Sequence, residues 1–132
     1  MKLSKKAYYG LRASLALLSA EEPLSIHLLA EQEHLPEDYL EKILQELRRK
    51  NLVTAKRGTS GGYTLSSKDI SAWDVVSALD GPLKMYPALK GTLPCYQETH
   101  CQANALFRTL EESLETTLKN IPLQSLTQKI TF

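Results

Sequence analysis

The stretch from Ser25 to Leu65, "SIHLLAEQEHLPEDYLEKILQELRRKNLVTAKRGTSGGYTL", changes its period twice, and nothing else in the chain constrains the fold as much. "SIHLLAEQEH" reads as a short helix that opens on a serine able to accept from first-turn N–H groups. A second helix starts almost at once at Pro36, with acids in its first turn and cations in its last, matching the helix dipole at both ends. Its Leu40, Ile43, Leu44 and Leu47 fall at i, i+3, i+4 and i+7, one helical face. After Asn51 the pattern becomes β-like. "LVTAK" and "GYTLS" flank "RGTSG", a hairpin with a flexible tip. Two short, tightly joined helices followed by a hairpin predict a winged helix-turn-helix, with the helix from about Glu37 to Lys50 suited to a DNA major groove and the hairpin as wing.

The flanks complete a mostly α chain with one small β-hairpin. Ser4 can cap a helix running to about Ser19, with Tyr9, Leu11, Leu15 and Leu18 on its apolar side. "EEPLS" breaks it. After the hairpin comes "SAWDVVSALDG", a short helix capped by Ser71, and then a stretch from Pro82 to His100 without periodicity that reads as a loop. From Ala103 to about Asn120 the chain is helical again. Phe107, Leu110, Leu114, Thr117 and Ile121 recur at alternating threes and fours, the seam of a coiled-coil-like contact between two copies. "IPLQSLTQ" starts a further helical turn at Pro122. The expected division is a winged helix-turn-helix domain over 1–80, a sensor or ligand loop over 81–102, and a dimerisation helix with its tail over 103–132.

Bulk properties narrow the function classes. A chain of 132 residues suits one domain with a core of its own. Its net charge of +1 gives no global field toward nucleic acid or lipid. The local distribution differs: from Arg48 to Arg57 there are five cations and no acid, while the acids cluster just before. The N-terminus imitates a secretory signal, but Arg12 interrupts the apolar run, and Tyr8, Tyr9 and Arg12 suit an amphipathic helix better. No membrane span is expected, and two cysteines are too few for a disulfide framework, so the expected location is cytoplasmic. There is no Ser/His/Asp order, paired-carboxylate site or cofactor loop, which argues against an enzyme. "GTSGG" lacks the Gly-Lys-Ser/Thr ending of a nucleotide-cradling loop, and a strand follows it instead of a helix. A plain surface hairpin is the bland alternative. After a helix-turn-helix with a basic end, the stronger reading is that Lys56 and Arg57 reach phosphates or the minor groove of double-stranded DNA, with glycines allowing close backbone approach.

"LSKKAYYGLRASLALL", the block "YLEKILQELRRKNLV" with "RGTSGGY" behind it, "ISAWDVVSALDGPL" and a C-x5-C spacing before a helix resemble the IscR-type winged-helix transcription regulators, the group that includes NsrR, RirA and CymR. That resemblance spans essentially the whole chain. It implies a homodimer on a partly palindromic promoter site and, in many members, an iron–sulfur cluster in the loop before the dimerisation helix. By the same match, DNA contacts fall at Pro36, Glu37, Asp38, Tyr39, Glu41 and Lys42, and on the wing at Arg57, Gly58, Thr59, Ser60, Gly61 and Gly62. Glu41 could accept from cytosine N4. Alternatively Glu37, Asp38 and Glu41 are first-turn helix acids and Tyr39 is core. Lys5, Lys6 and Tyr9 could touch backbone phosphate or serve packing. The family's three cysteines are each five residues apart, with a last ligand three residues further on. Here Cys95 and Cys101 match the second and third, Leu89 stands at the first position and Asn104 at the last. His100 or a residue of the partner subunit could fill the gap. A thiol–disulfide switch and two inert cysteines remain as alternatives. His27 and His34 read as surface or packing residues.

Overall fold

A computed structural model of the chain describes residues 3–84 and 102–127, without the side chain of Asn104. The elements are α1 (Lys5–Ser19), α2 (Ile26–Glu33), α3 (Glu37–Arg49), β1 (Val53–Lys56), β2 (Gly62–Leu65), α4 (Ala72–Asp80), α5 (Gln102–Lys119) and α6 (Leu123–Leu126). Serines start three of the helices, as their positions in the sequence predict. Ser4 Oγ accepts from the Ala7 N–H at 3.0 Å and Ser25 Oγ from the Leu28 N–H at 3.2 Å. Ser71 and Asp74 form a reciprocal capping box at 3.2 and 2.8 Å. Between α2 and α3 the chain turns at His34, which adopts the left-handed conformation with φ 55° and lets Leu35 N–H reach the Ala30 carbonyl at 3.0 Å. No glycine marks this turn in the sequence.

The face of α3 set by its helical period is wholly inside: Leu40, Ile43, Leu44 and Leu47 are each fully buried, against Leu29, Val53 and Val75. α1 departs from expectation. Its buried positions are Ala7, Gly10, Ala13, Ser14 and Leu17, while Tyr9, Leu11, Leu15 and Leu18 pack only partly buried at the edge of the core. Close approach of α4 is the reason. A Cβ added to Gly10 would lie 2.2 Å from Leu79 Cδ1, so glycine is what fits where the two helices meet. The buried Ser14 hydroxyl is satisfied by donating to the Gly10 carbonyl at 2.7 Å.

The chain beyond α5 returns to the same core. Ala72 N–H donates to the Ile121 carbonyl at 2.8 Å, Leu123 N–H donates to the Ile70 carbonyl at 2.9 Å, and the Leu123 side chain is fully buried. The hairpin is antiparallel, in register from Val53↔Leu65 to Lys56↔Gly62. It is also tied to the residue before α2, since Leu24 and Tyr63 exchange backbone bonds of 3.1 and 2.8 Å. That third rung explains Gly62. With φ 151°, any Cβ there would sit 2.5 Å from the Leu24 carbonyl carbon and oxygen. The wing is thereby fixed in place beside the helix-turn-helix. Among the described residues, no helix is long and apolar enough to cross a membrane.

Candidate nucleic-acid interface

Burying one face of α3 leaves the opposite one outward, and Asp38, Lys42, Gln45 and Arg49 lie along it at i, i+4, i+7 and i+11, all exposed. Pro36, Glu37 and Glu41 are exposed beside them, whereas Tyr39 is half-buried. Asp38 and Lys42 are among the contacts expected from the sequence; Gln45 is not, and Arg49 stood there only as part of the basic run. Their spacing from Lys42 was the signal that could have found them.

α1 braces this helix from one side. The Tyr9 ring meets Tyr39 edge-on at 6.0 Å between centroids, and the Arg12 guanidinium stands 5.6 Å from Tyr9 and 5.8 Å from Tyr8. Arg12 is itself anchored by donating to the Glu33 carboxylate at 2.8 Å and to the Glu33 carbonyl at 3.2 Å. Lys6 pairs with Glu46 of α3 at 3.1 Å. Of the three candidates on α1, Lys6 and Tyr9 thus have packing partners on α3, and Lys5 stands exposed. His27 of α2 also meets α3, at Glu37, at 2.6 Å. The hydrogen bond to Glu37, then that carboxylate's charge, with a further contribution from Glu31, hold the His27 pKa above its ordinary value.

These pairings sort the charges of the surface. Glu46 and Glu37 are each matched by a partner from a neighbouring helix. Among the described residues, Lys42, Arg48, Arg49, Lys50, Lys56 and Arg57 are exposed and make no ion pair. The carboxy-terminal half of α3 and the near end of the wing therefore carry exposed cations without ion pairs, while the exposed acids Asp38 and Glu41 lie toward the amino-terminal end of α3; such cations are what a phosphate backbone requires. At the wing tip Gly58, Thr59 and Ser60 are exposed, while Gly61 and Gly62 are half-buried. A Cβ at Gly61 would lie 2.2 Å from the Lys56 carbonyl oxygen, so Gly61 and Gly62 have a folding reason independent of any DNA.

α5 packs against α4, with Lys119 Nζ 5.8 Å from the Trp73 ring centroid. Phe107 and Leu114 are half-buried, Leu110 is 38% exposed, and Leu106, outside the expected seam, is 57% exposed. Thr117 is exposed, with its hydroxyl donating back to the Ser113 carbonyl at 2.8 Å. Ile121 lies beyond the end of α5 and its carbonyl is taken by Ala72, so four of the five seam positions belong to the helix itself. Cys95 and Cys101 lie outside the described residues. Among those described, no group of three or more His, Cys, Asp or Glu side chains is placed to hold a metal ion.

The architecture is that of a winged helix-turn-helix protein: mostly helical, with a two-stranded antiparallel wing. The chain belongs to the Rrf2 family, described as "Iron-dependent Transcriptional regulator", which matches residues 3–129. It is accordingly a transcriptional regulator with a DNA-binding helix-turn-helix and not an enzyme. The chain is similar to the HTH-type transcriptional regulator CymR of Bacillus subtilis, with 36% identity over 102 residues and 74% of each chain covered. To IscR of Vibrio atlanticus it is 32% identical over 130 residues, covering 96% of this chain and 75% of that one. Among solved structures, CymR, "the Global Cysteine Regulator of B. subtilis", superposes with a TM-score of 0.78 at 30% identity, covering 99% of both chains.

Proposed function

We propose that this protein acts as a homodimer that binds a partly palindromic duplex site sequence-specifically, with α3 in the major groove and the wing on the adjacent backbone or minor groove. The observation that carries this reading is the set of exposed, unpaired cations Lys42, Arg49, Lys56 and Arg57, on the outward face of a helix held by α1 and α2 and on the wing beside it. Asp38, Glu41, Lys42 and Gln45 are the side chains offered to base edges. Arg49, Lys56 and Arg57 suit phosphates. The apolar strip of α5, Leu106, Phe107, Leu110 and Leu114, supplies a self-complementary patch for two-fold pairing. Selection from a pool of random duplexes tests the reading. It should enrich two inverted half-sites whose centres are about 34–36 Å apart or a multiple of that. Enrichment of no motif would remove sequence-specific binding.

Cys95 and Cys101 give the regulator a sensing element in this proposal, supported by the family's iron-dependent description and by the position of the pair between α4 and α5. Two thiolates are half of a four-cysteine shell, so they fit an iron–sulfur cluster only with ligands added from elsewhere, His100 or the partner subunit. DNA binding as described needs no cluster. Anaerobic reconstitution of the wild type and of Cys95→Ala/Cys101→Ala separates the cases. Iron and operator affinity should differ between them, and equality in both would leave a regulator without this sensor.

A further inference from the structure

His27 and Glu37 sit at the amino-terminal ends of α2 and α3 and join the two helices of the helix-turn-helix through one bond, His27 Nδ1 to Glu37 Oε1 at 2.6 Å. Their side chains are 76% and 48% exposed, so burial does not demand that they pair. The bond fixes the imidazole. With Nδ1–H donating to the carboxylate, Nε2 is the nitrogen that gains a proton when the ring charges, and it is held at the surface of the first helix. In a helix-turn-helix complex that first helix crosses the DNA backbone while the second lies in the groove.

We propose that His27 is a phosphate contact in the DNA complex, its Nε2–H donating to a backbone phosphate oxygen, and that Glu37 is the positioning residue that orients the ring. This rests on the DNA-binding reading above and extends it to His27, which the sequence alone reads as a surface or packing residue. It also changes the role of Glu37. A free carboxylate at the head of the recognition helix would repel phosphates, whereas the His27–Glu37 pair presents a cation outward and neutralises the acid behind it. The charged groups around the ring are Glu37 from α3 and Glu31 one turn along α2, and His34 lines the same open recess. Both acids favour the imidazolium.

The sign follows. A His27 pKa raised in the free protein, and raised again by a phosphate, makes DNA affinity greatest at low pH and lets it fall as pH climbs through the raised value. The experiment uses the full chain and a labelled mixed-sequence duplex, with affinity and its salt slope measured between about pH 5 and 8. Wild type should bind more weakly as His27 loses its proton, and its salt slope should shrink by about one per protomer. His27→Gln should lose that component and hold one salt slope throughout. Glu37→Gln should keep the pH dependence with its midpoint moved down, and the His27 ring resonance, followed by NMR, should titrate higher with duplex than without. Wild-type affinity that ignores pH across this range would overturn the proposal, as would a Glu37→Gln midpoint equal to wild type. A change in base preference on Glu37→Gln with the midpoint unmoved would make Glu37 a base reader and sink it equally. Absence of DNA binding at every pH and salt would instead bring down the DNA-binding reading itself.

Discussion

A methyl group at position 62 would have to share space with the Leu24 carbonyl, 2.5 Å away, in a backbone conformation that side chains rarely adopt. Neither neighbour can give, because both are main chain and both are committed to the Leu24–Tyr63 rung. Gly62→Ala should therefore destabilise the fold by at least the roughly 1–3 kcal/mol of a strained residue, seen as a lower urea midpoint. An unchanged midpoint would mean that the wing is not locked as described. Arg57 is the opposite kind of residue: exposed, without an ion pair among the described residues, and dispensable for the core. Arg57→Ala should leave stability within about 0.5 kcal/mol while weakening binding to any duplex and lowering the salt slope by about one per protomer. If Arg57 reads a narrow minor groove, the loss should vary with the AT content beneath it. No loss on any duplex would return the wing tip to a plain surface hairpin.

At the scale of elements, what could be read from the sequence is what is local. The serine caps act on N–H groups three residues away, and the α3 stripe repeats within two turns, so both are written in adjacent residues. The buried face of α1 was not legible, because hydrophobicity points to Tyr9, Leu11, Leu15 and Leu18, whereas the face that is buried carries Ala7, Gly10, Ala13 and Ser14 beside Leu17, with Gly10 set against Leu79 of α4. The site shows the same division. Its cations and its glycines are visible in the sequence, but the pairs that brace α3 join residues far apart, Lys6 with Glu46 and Tyr9 with Tyr39. His27 with Glu37, across a turn that carries no glycine, was equally hidden. The crossing makes its own prediction. Leu79→Ala removes a buried side chain and should cost about 2–5 kcal/mol. Gly10→Ala forces Leu79 aside and should also destabilise, but it fills part of the space that Leu79→Ala opens. The double variant should thus be more stable than the sum of the two by about 0.5–3 kcal/mol, measured as a denaturation cycle. Additive losses would show that Gly10 and Leu79 do not share that space.

For the whole molecule, the DNA-binding body and α5 are covalently and structurally joined at both ends of the fold's second half: α5 lies on α4, and Leu123 of α6 returns to the core. A dimer formed through α5 would hold two copies of α3 at a defined separation, which is what a palindromic site requires. Leu110→Glu/Leu114→Glu should give monomers by light scattering, with folding retained because neither side chain belongs to the buried core. A variant that stayed dimeric would remove α5 from the interface. If paired copies of α3 and the wing neutralise DNA phosphates, binding to a selected palindromic duplex must depend steeply on salt. Log affinity against log salt should fall on a steep line of about −0.9 per phosphate contact, shallower by about two for a dimer carrying Arg57→Ala. A flat line, or one that this substitution leaves unchanged, would contradict it.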